Sequence, residues 1–161
     1  MASKRWILFT VSFVLLTFAK AQNKKADSLM IVKTLKTILA ACKDENTNDP
    51  KLKTEGRFYK AAPYIVYRGN DKKRAWKDFV NYADKDEKDE TDGICKRISR
   101  TIATDDNYKI IKYFTEKESE GVWNVLVVSC KVDGAEKKLA MAFLKIGNKF
   151  GLGDIDQNYS E

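Results

Sequence analysis

Apolar residues recur at Ile31, Leu35, Ile38, Leu39 and Cys42, with lysines on the opposite side. That spacing follows the 3.6-residue period and predicts an amphipathic helix over 24–43. Asp44-Glu45-Asn46-Thr47-Asn48-Asp49 breaks the pattern, and Asp49-Pro50 has the form of a helix cap followed by a first-turn proline. A shorter helix is expected to run to Ala62 despite Gly56, with Pro63 ending it. Tyr64 to Tyr67 is β-prone. Asp71 can cap a further helix whose buried face would be Trp76, Phe79, Val80 and Ala83. Another helix is expected over 86–103, with Ile94, Cys95, Ile98 and Ile102 on one side.

Beyond Tyr108 the pattern changes. Tyr108–Glu116, Val122–Val132, Glu136–Ile146 and Lys149–Ile155 are rich in β-branched and aromatic residues. Asp133-Gly134 and Gly147-Asn148 suit two-residue hairpin turns, where Gly or Asn tolerates positive φ, and Glu118 to Gly121 suits a looser turn. The expected fold class is therefore α+β: N-terminal helices packed on a curved C-terminal antiparallel four-stranded meander. Gln157–Glu161 is expected to fray.

The tight turns imply a register. Val132 should face Ala135, Leu126 should face Met141, Met141 should face Asp154, and Phe143 should face Leu152. One sheet face then carries Asn124, Leu126, Val128, Cys130, Leu139, Met141, Phe143, Leu152 and Asp154. The other carries Trp123, Val125, Val127, Ala140, Ala142, Leu144, Gly151, Gly153 and Ile155. Both faces are apolar, whereas a sheet with one wet face alternates. The helices can cover the bulkier first face. The flatter second face, bearing Trp123, Val125, Val127, Ala140 and Ala142, can take a second copy of the chain as a homodimer, or be wrapped by the remaining helices. Asp154 would sit on the first face among Leu126 and Met141, where burial would disfavour its charged form and fit it for acid–base work; or, lying at the strand end, it would reach water or a backbone donor and play no chemical part.

The N-terminus alters the picture. Lys4 and Arg5 precede an apolar stretch from Trp6 to Phe18, followed by Ala19-Lys20-Ala21 and a polar run from Gln22. This is the order of a cleaved secretory signal over 1–21. The apolar run of about 13 residues is short of the roughly 20 that span a bilayer. The expected organisation is a signal peptide, one domain over 22–156, and a tail over 157–161, with the product periplasmic or extracellular and without a membrane anchor after cleavage. The chain carries +7; loss of Lys4, Arg5 and Lys20 leaves about +4, with lysines scattered among acids and no basic stripe of the nucleic-acid kind.

The cysteines are Cys42, Cys95 and Cys130, and there is no histidine. An odd count leaves one thiol unpaired or bridged between chains. Buried free thiols and a Cys42–Cys95 bridge between helices both fit the sequence. The missing histidine removes the usual general base and most zinc sites. Asp44, Asn46, Asn48 and Glu55 have calcium-loop spacing, but Asp49 stands where the loop needs glycine and Pro50 follows, so no metal or other cofactor is expected. The run from Asp84 to Glu90 reads as a solvated helix start favoured by the helix dipole.

The helical face Ile31–Cys42, the strands Val122–Val132 and Glu136–Ile146, and the closing Gly147-Asn148-Lys149-Phe150-Gly151-Leu152-Gly153-Asp154-Ile155 resemble the nuclear transport factor 2-like (cystatin-like) superfamily. The resemblance implies a cone: helices first, then a long curved meander wrapped around them, with a pocket between. In that superfamily some members are isomerases, dehydratases or hydrolases using Asp, His or Tyr in the pocket, and many are non-catalytic binding or dimerisation modules. Here only Asp154, Asn124 and Tyr113 could fill such roles. The leading expectation is an exported non-enzymatic binding or interaction module. Its rivals are a pocket enzyme for a small apolar ligand with Asp154 as base, and a structural part of an envelope or secretion assembly.

Overall fold

In the computed structural model the described residues are 25–43, 51, 55–69, 77–105, 107–119 and 121–160. The signal segment 1–21, the Asp71 cap, Trp76 and the calcium-loop positions Asp44, Asn46 and Asn48 lie outside them. Among the described residues no helix is long and apolar enough to cross a membrane.

The protein is α+β. Helix α1 (25–43) and helix α2 (Lys85–Ser99) precede strands β1 (Lys109–Glu118), β2 (Gly121–Val132), β3 (Ala135–Ile146) and β4 (Lys149–Asp156). The strands form one antiparallel sheet in the order β1-β2-β3-β4. The turn residues behave as their chemistry requires. Asp133 and Gly134 both take positive φ, as a type I′ hairpin needs, while at Gly147-Asn148 only Gly147 does.

The core lies between the helices and one face of the sheet. Ile31, Leu35, Ile38, Leu39 and Cys42 of α1 and Ile94, Cys95 and Ile98 of α2 pack on Leu126, Val128, Leu139, Met141, Phe143, Leu152 and Ile155. Each such side chain taken from water contributes about 1.5–3 kcal/mol. Cys42 and Cys95 are disulfide-bonded with Cα atoms 5.0 Å apart, joining the end of α1 to α2 across 53 residues. Closing a loop of that length stabilises by about 4 kcal/mol in the chain-entropy treatment. Cys130 is the remaining thiol, and it is buried.

The segments between the helices depart from expectation. No helix runs through 55–61. Those residues form successive turns around Gly56, at φ 106°, and lead into a single 3-10 turn at Ala62–Tyr64 that contains Pro63. Residues 77–84 are not helical either. Val66 bridges Phe79, Val80 donates to the Ile65 carbonyl (3.0 Å) and Tyr67 to the Asp78 carbonyl (3.0 Å). The apolar spacing of Phe79, Val80 and Ala83 mimicked a helix, but pairing with 65–67 satisfies this backbone instead. Ile65 also bridges Leu152, so 65–67 lies along the outer edge of β4. Helix α2 begins where Asp84 accepts from the N–H groups of Asp86 and Glu87. It ends at Ser99 rather than 103, and a 3-10 turn at Ile102–Thr104 still buries Ile102.

The tail makes two surface hydrogen bonds. Asn158 donates to Asp156 (2.9 Å), and the half-buried Tyr159 accepts from Lys112 of β1 (3.4 Å).

Candidate functional site

The expected register holds from Val132↔Ala135 through Leu126↔Met141 and at Phe143↔Leu152. It then breaks. Between Ala142 and Phe143 the pairing slips, so Ala142 faces Asp154 and Met141 faces Ile155. Gly153 is the additional residue on β4. A bulge of one residue moves everything beyond it to the opposite face. Ile155 thereby takes the core position expected of Asp154, and Asp154 leaves the core.

Asp154 sits instead with arginines. Its side chain is 56 % exposed, with Arg68 at 3.4 Å and Arg97 at 4.0 Å. Arg97 also donates to the Ile155 carbonyl (3.4 Å). The Arg68 guanidinium lies 5.5 Å from the centre of the Trp123 ring. Trp123 in turn packs over Gly153, where an added Cβ would stand 2.5 Å from its Cη2. Glu90 of α2 joins this group by accepting from the Arg68 backbone N–H; burial pushes its carboxyl above the ordinary value of 4.5, against the pull of Arg68.

Asn124 and Tyr113 are brought together on the core face. Tyr113 pairs with Leu126, and its hydroxyl donates to Asn124 Oδ1 (2.7 Å); Asn124 Nδ2 donates to the Val122 carbonyl (3.3 Å). Asn124 is 6 % exposed. Burial, with the charge of Asp27 adding, raises the Tyr113 phenol above its ordinary value. Asp27, in the first turn of α1, is held by Lys145 at 2.8 Å, and the Lys145 ammonium also lies 5.4 Å from the Phe150 ring centre. At neutral pH this group offers a protonated phenol, an amide and an ion pair. It can orient a polar group; it holds no free base.

The structure thus unites Tyr113 with Asn124 and separates both from Asp154 by the thickness of the sheet. Asp27, Lys145, Arg68, Arg97 and Glu90 were not singled out from sequence. A Gly-x-Gly pair within β4 was the available signal, because glycine inside a strand marks a bulge or a close approach.

Cavities of about 280, 360 and 530 Å³ open beside Ser129 and Glu136, beside the Cys42 end of α1, and beside Tyr82 and Lys88 respectively. None of these three is lined by Tyr113, Asn124 or Asp154. Glu55, the last of the calcium-loop positions, touches the largest of the three, and its carbonyl accepts from Lys88 (3.3 Å). Among the described residues no cluster of His, Cys, Asp or Glu is arranged to hold a metal. In the 530 Å³ cavity the Tyr82 hydroxyl donates to Asp92 (2.7 Å) and accepts from the Phe58 N–H (3.2 Å); burial and Asp92 raise it well above the ordinary phenol value. Burial likewise raises the Cys130 thiol, leaving it protonated.

Comparison with protein families, with curated proteins and with solved structures finds no match.

Proposed function

We propose that this protein is an exported, non-catalytic interaction domain built on the nuclear transport factor 2-like plan. The observation that carries the reading is the position of Asp154. Asp154, the carboxylate expected to act as base on the core face, lies on the other face, exposed and engaged by Arg68 and Arg97. The polar pair left at the core, Tyr113 and Asn124, is spent on its own hydrogen bond. A general base needs an unengaged acceptor within reach of the substrate proton. The disulfide between Cys42 and Cys95 agrees with an oxidising destination.

Replacing Asp154 by Asn tests the reading. On a surface, such pairs stabilise by about 0.2–1 kcal/mol. The expected result is a small loss of stability in chemical denaturation and no change in the turnover of any small ester, ketone or hydroxy compound the protein processes. Turnover that collapses in Asp154→Asn while stability stays level would establish the enzyme instead.

A further inference from the structure

The outer face of α1 is made of lysines and apolar residues alone. Lys25, Leu29, Lys33, Lys36 and Ala40 are all exposed. Steps of four and three residues keep side chains on one side of a helix, so these five form a single line. From Lys25 to Ala40 the line runs straight for about 22 Å. Leu29 is 63 % exposed, and Met30 beside it is 38 % exposed. Lys43 extends the line but is already engaged. No carboxylate stands on this side. Asp27, the one acid of α1, lies off it and is held by Lys145 (2.8 Å). On α2, by contrast, the exposed Lys85 is matched by Asp89 one turn away (3.3 Å).

A straight ridge of cations with apolar side chains between them fits a flat anionic surface. The ammonium groups can meet headgroup phosphates while their methylene stems and Leu29 enter the boundary of the acyl region. The opposite face of α1 is taken up by the core, so the helix can lie on such a surface but cannot sink into it. Three features turn the ridge toward lipid and away from a soluble polyanion. Its cations are lysines, which act as point charges, and not arginines, which grip phosphate bidentately. It has no aromatic residue on which a nucleic-acid base could stack. A soluble polyanion also leaves Leu29 and Met30 in water, whereas a bilayer boundary takes them out of it.

We propose that the outer face of α1 is a membrane-surface contact. It docks the domain reversibly on anionic phospholipid through Lys25, Lys33 and Lys36, with Leu29 inserted between the headgroups. Each such lysine raises affinity about fivefold, and the three together about a hundredfold. Salt screens the contact. The proposal goes beyond the reading of Asp154 and does not depend on it, because Asp154→Asn leaves α1 untouched.

Co-sedimentation of the purified protein with vesicles tests it. Phosphatidylcholine alone is compared with an equal mixture of phosphatidylcholine and phosphatidylglycerol, at low and at physiological salt. The variants are Lys25→Glu/Lys33→Glu/Lys36→Glu, Leu29→Ser, and a control, Lys117→Glu/Lys137→Glu/Lys149→Glu, that makes the same change of charge at exposed lysines of the strands. Circular dichroism establishes that each is folded. The wild type is expected to bind the mixed vesicles, more weakly as salt rises, and to leave phosphatidylcholine alone. The α1 triple variant is expected to bind them about a hundredfold or more weakly, and the control to stay within about fivefold of wild type. Leu29→Ser is expected to weaken binding without altering its salt dependence. Equal binding to phosphatidylcholine alone, a control as weak as the α1 variant, or Leu29→Ser binding as well as wild type would each overturn the proposal. Binding to soluble polyglutamate with none to the mixed vesicles would overturn it too, and would assign the ridge to an acidic chain.

Discussion

At Gly153 strand β4 carries one residue more than β3 opposite it, and that residue turns Asp154 from the core to the arginines. The same position has no room for a side chain. An added Cβ would lie 2.5 Å from Trp123 Cη2 and 2.6 Å from Cζ3, on a ring that is 6 % exposed and backed by Arg68. Gly153→Ala must push the indole aside. Overpacking of this kind costs about 1–3 kcal/mol, and the expected measurement is a lower denaturation midpoint with an unchanged slope. An unchanged midpoint would mean that Trp123 is free to move. This is also where sequence reading reached its limit. Strict alternation from the Gly147-Asn148 turn is correct to Leu152 and fails one residue later, because nothing in the order of apolar residues separates a bulge glycine from an ordinary small one. Tyr113 was suggested by resemblance alone, since the loose turn at 118–121 left the register of β1 open. Its partnership with Asn124 follows only once that register is known.

At the scale of elements, α1, α2 and the four strands were legible because the helices have a strong period and the hairpins their own punctuation, Asp133-Gly134 and Gly147-Asn148; the Asp84 cap of α2 emerges only from the structure. The stretch 77–84 was not. Its apolar spacing suits a helix, but Asn81 binds locally, its side chain accepting from the Ala83 N–H (3.2 Å) and its N–H donating to Glu87 (2.5 Å), while 78–80 pairs with 65–67. Short polar side chains that bind nearby backbone compete with helix formation in this way. The acidic start of α2 is likewise not wholly solvated. Glu87 is 9 % exposed and Glu90 half-buried. Glu90 has its folded pKa raised above the ordinary 4.5, mainly by burial, so the folded state holds its proton to higher pH than the unfolded chain does. Glu90 therefore works against stability at neutral pH, and that penalty is relieved as pH falls through the raised value toward 4.5. Glu90→Gln, which can still accept from Arg68, is expected to equal or exceed wild type in Tm at pH 7 and to lose this gain on acidification. A variant clearly less stable at pH 7 would show that the charge of Glu90 between Arg68 and Arg97 outweighs its burial.

For the whole molecule, the described residues put helices on one face of a curved sheet, giving a core face closed by α1 and α2, a second face partly covered by Val66, Trp123 and Leu144, and an edge at β1 along which no described strand pairs. The core face keeps Tyr113 and Asn124, bonded to each other, while Asp154 lies outside it among Arg68 and Arg97. The proposed interaction domain would use surfaces of this sort, and the proposed setting outside the cytoplasm would account for the bridged cysteines and the N-terminal pattern together. Cys42 and Cys95 belong to the fold as a bridge, and Cys130 belongs to it as a buried thiol, 2 % exposed. The most direct measurement is the intact mass of the protein recovered from outside the cytoplasm of the cells that make it, before and after alkylation under denaturing but non-reducing conditions. The expected mass is that of a chain beginning near Gln22 and lacking the two hydrogens of one disulfide, with a single alkyl group added. A chain still beginning at Met1, or one that takes up an alkyl group at each of its three cysteines, would contradict export and the bridged fold together.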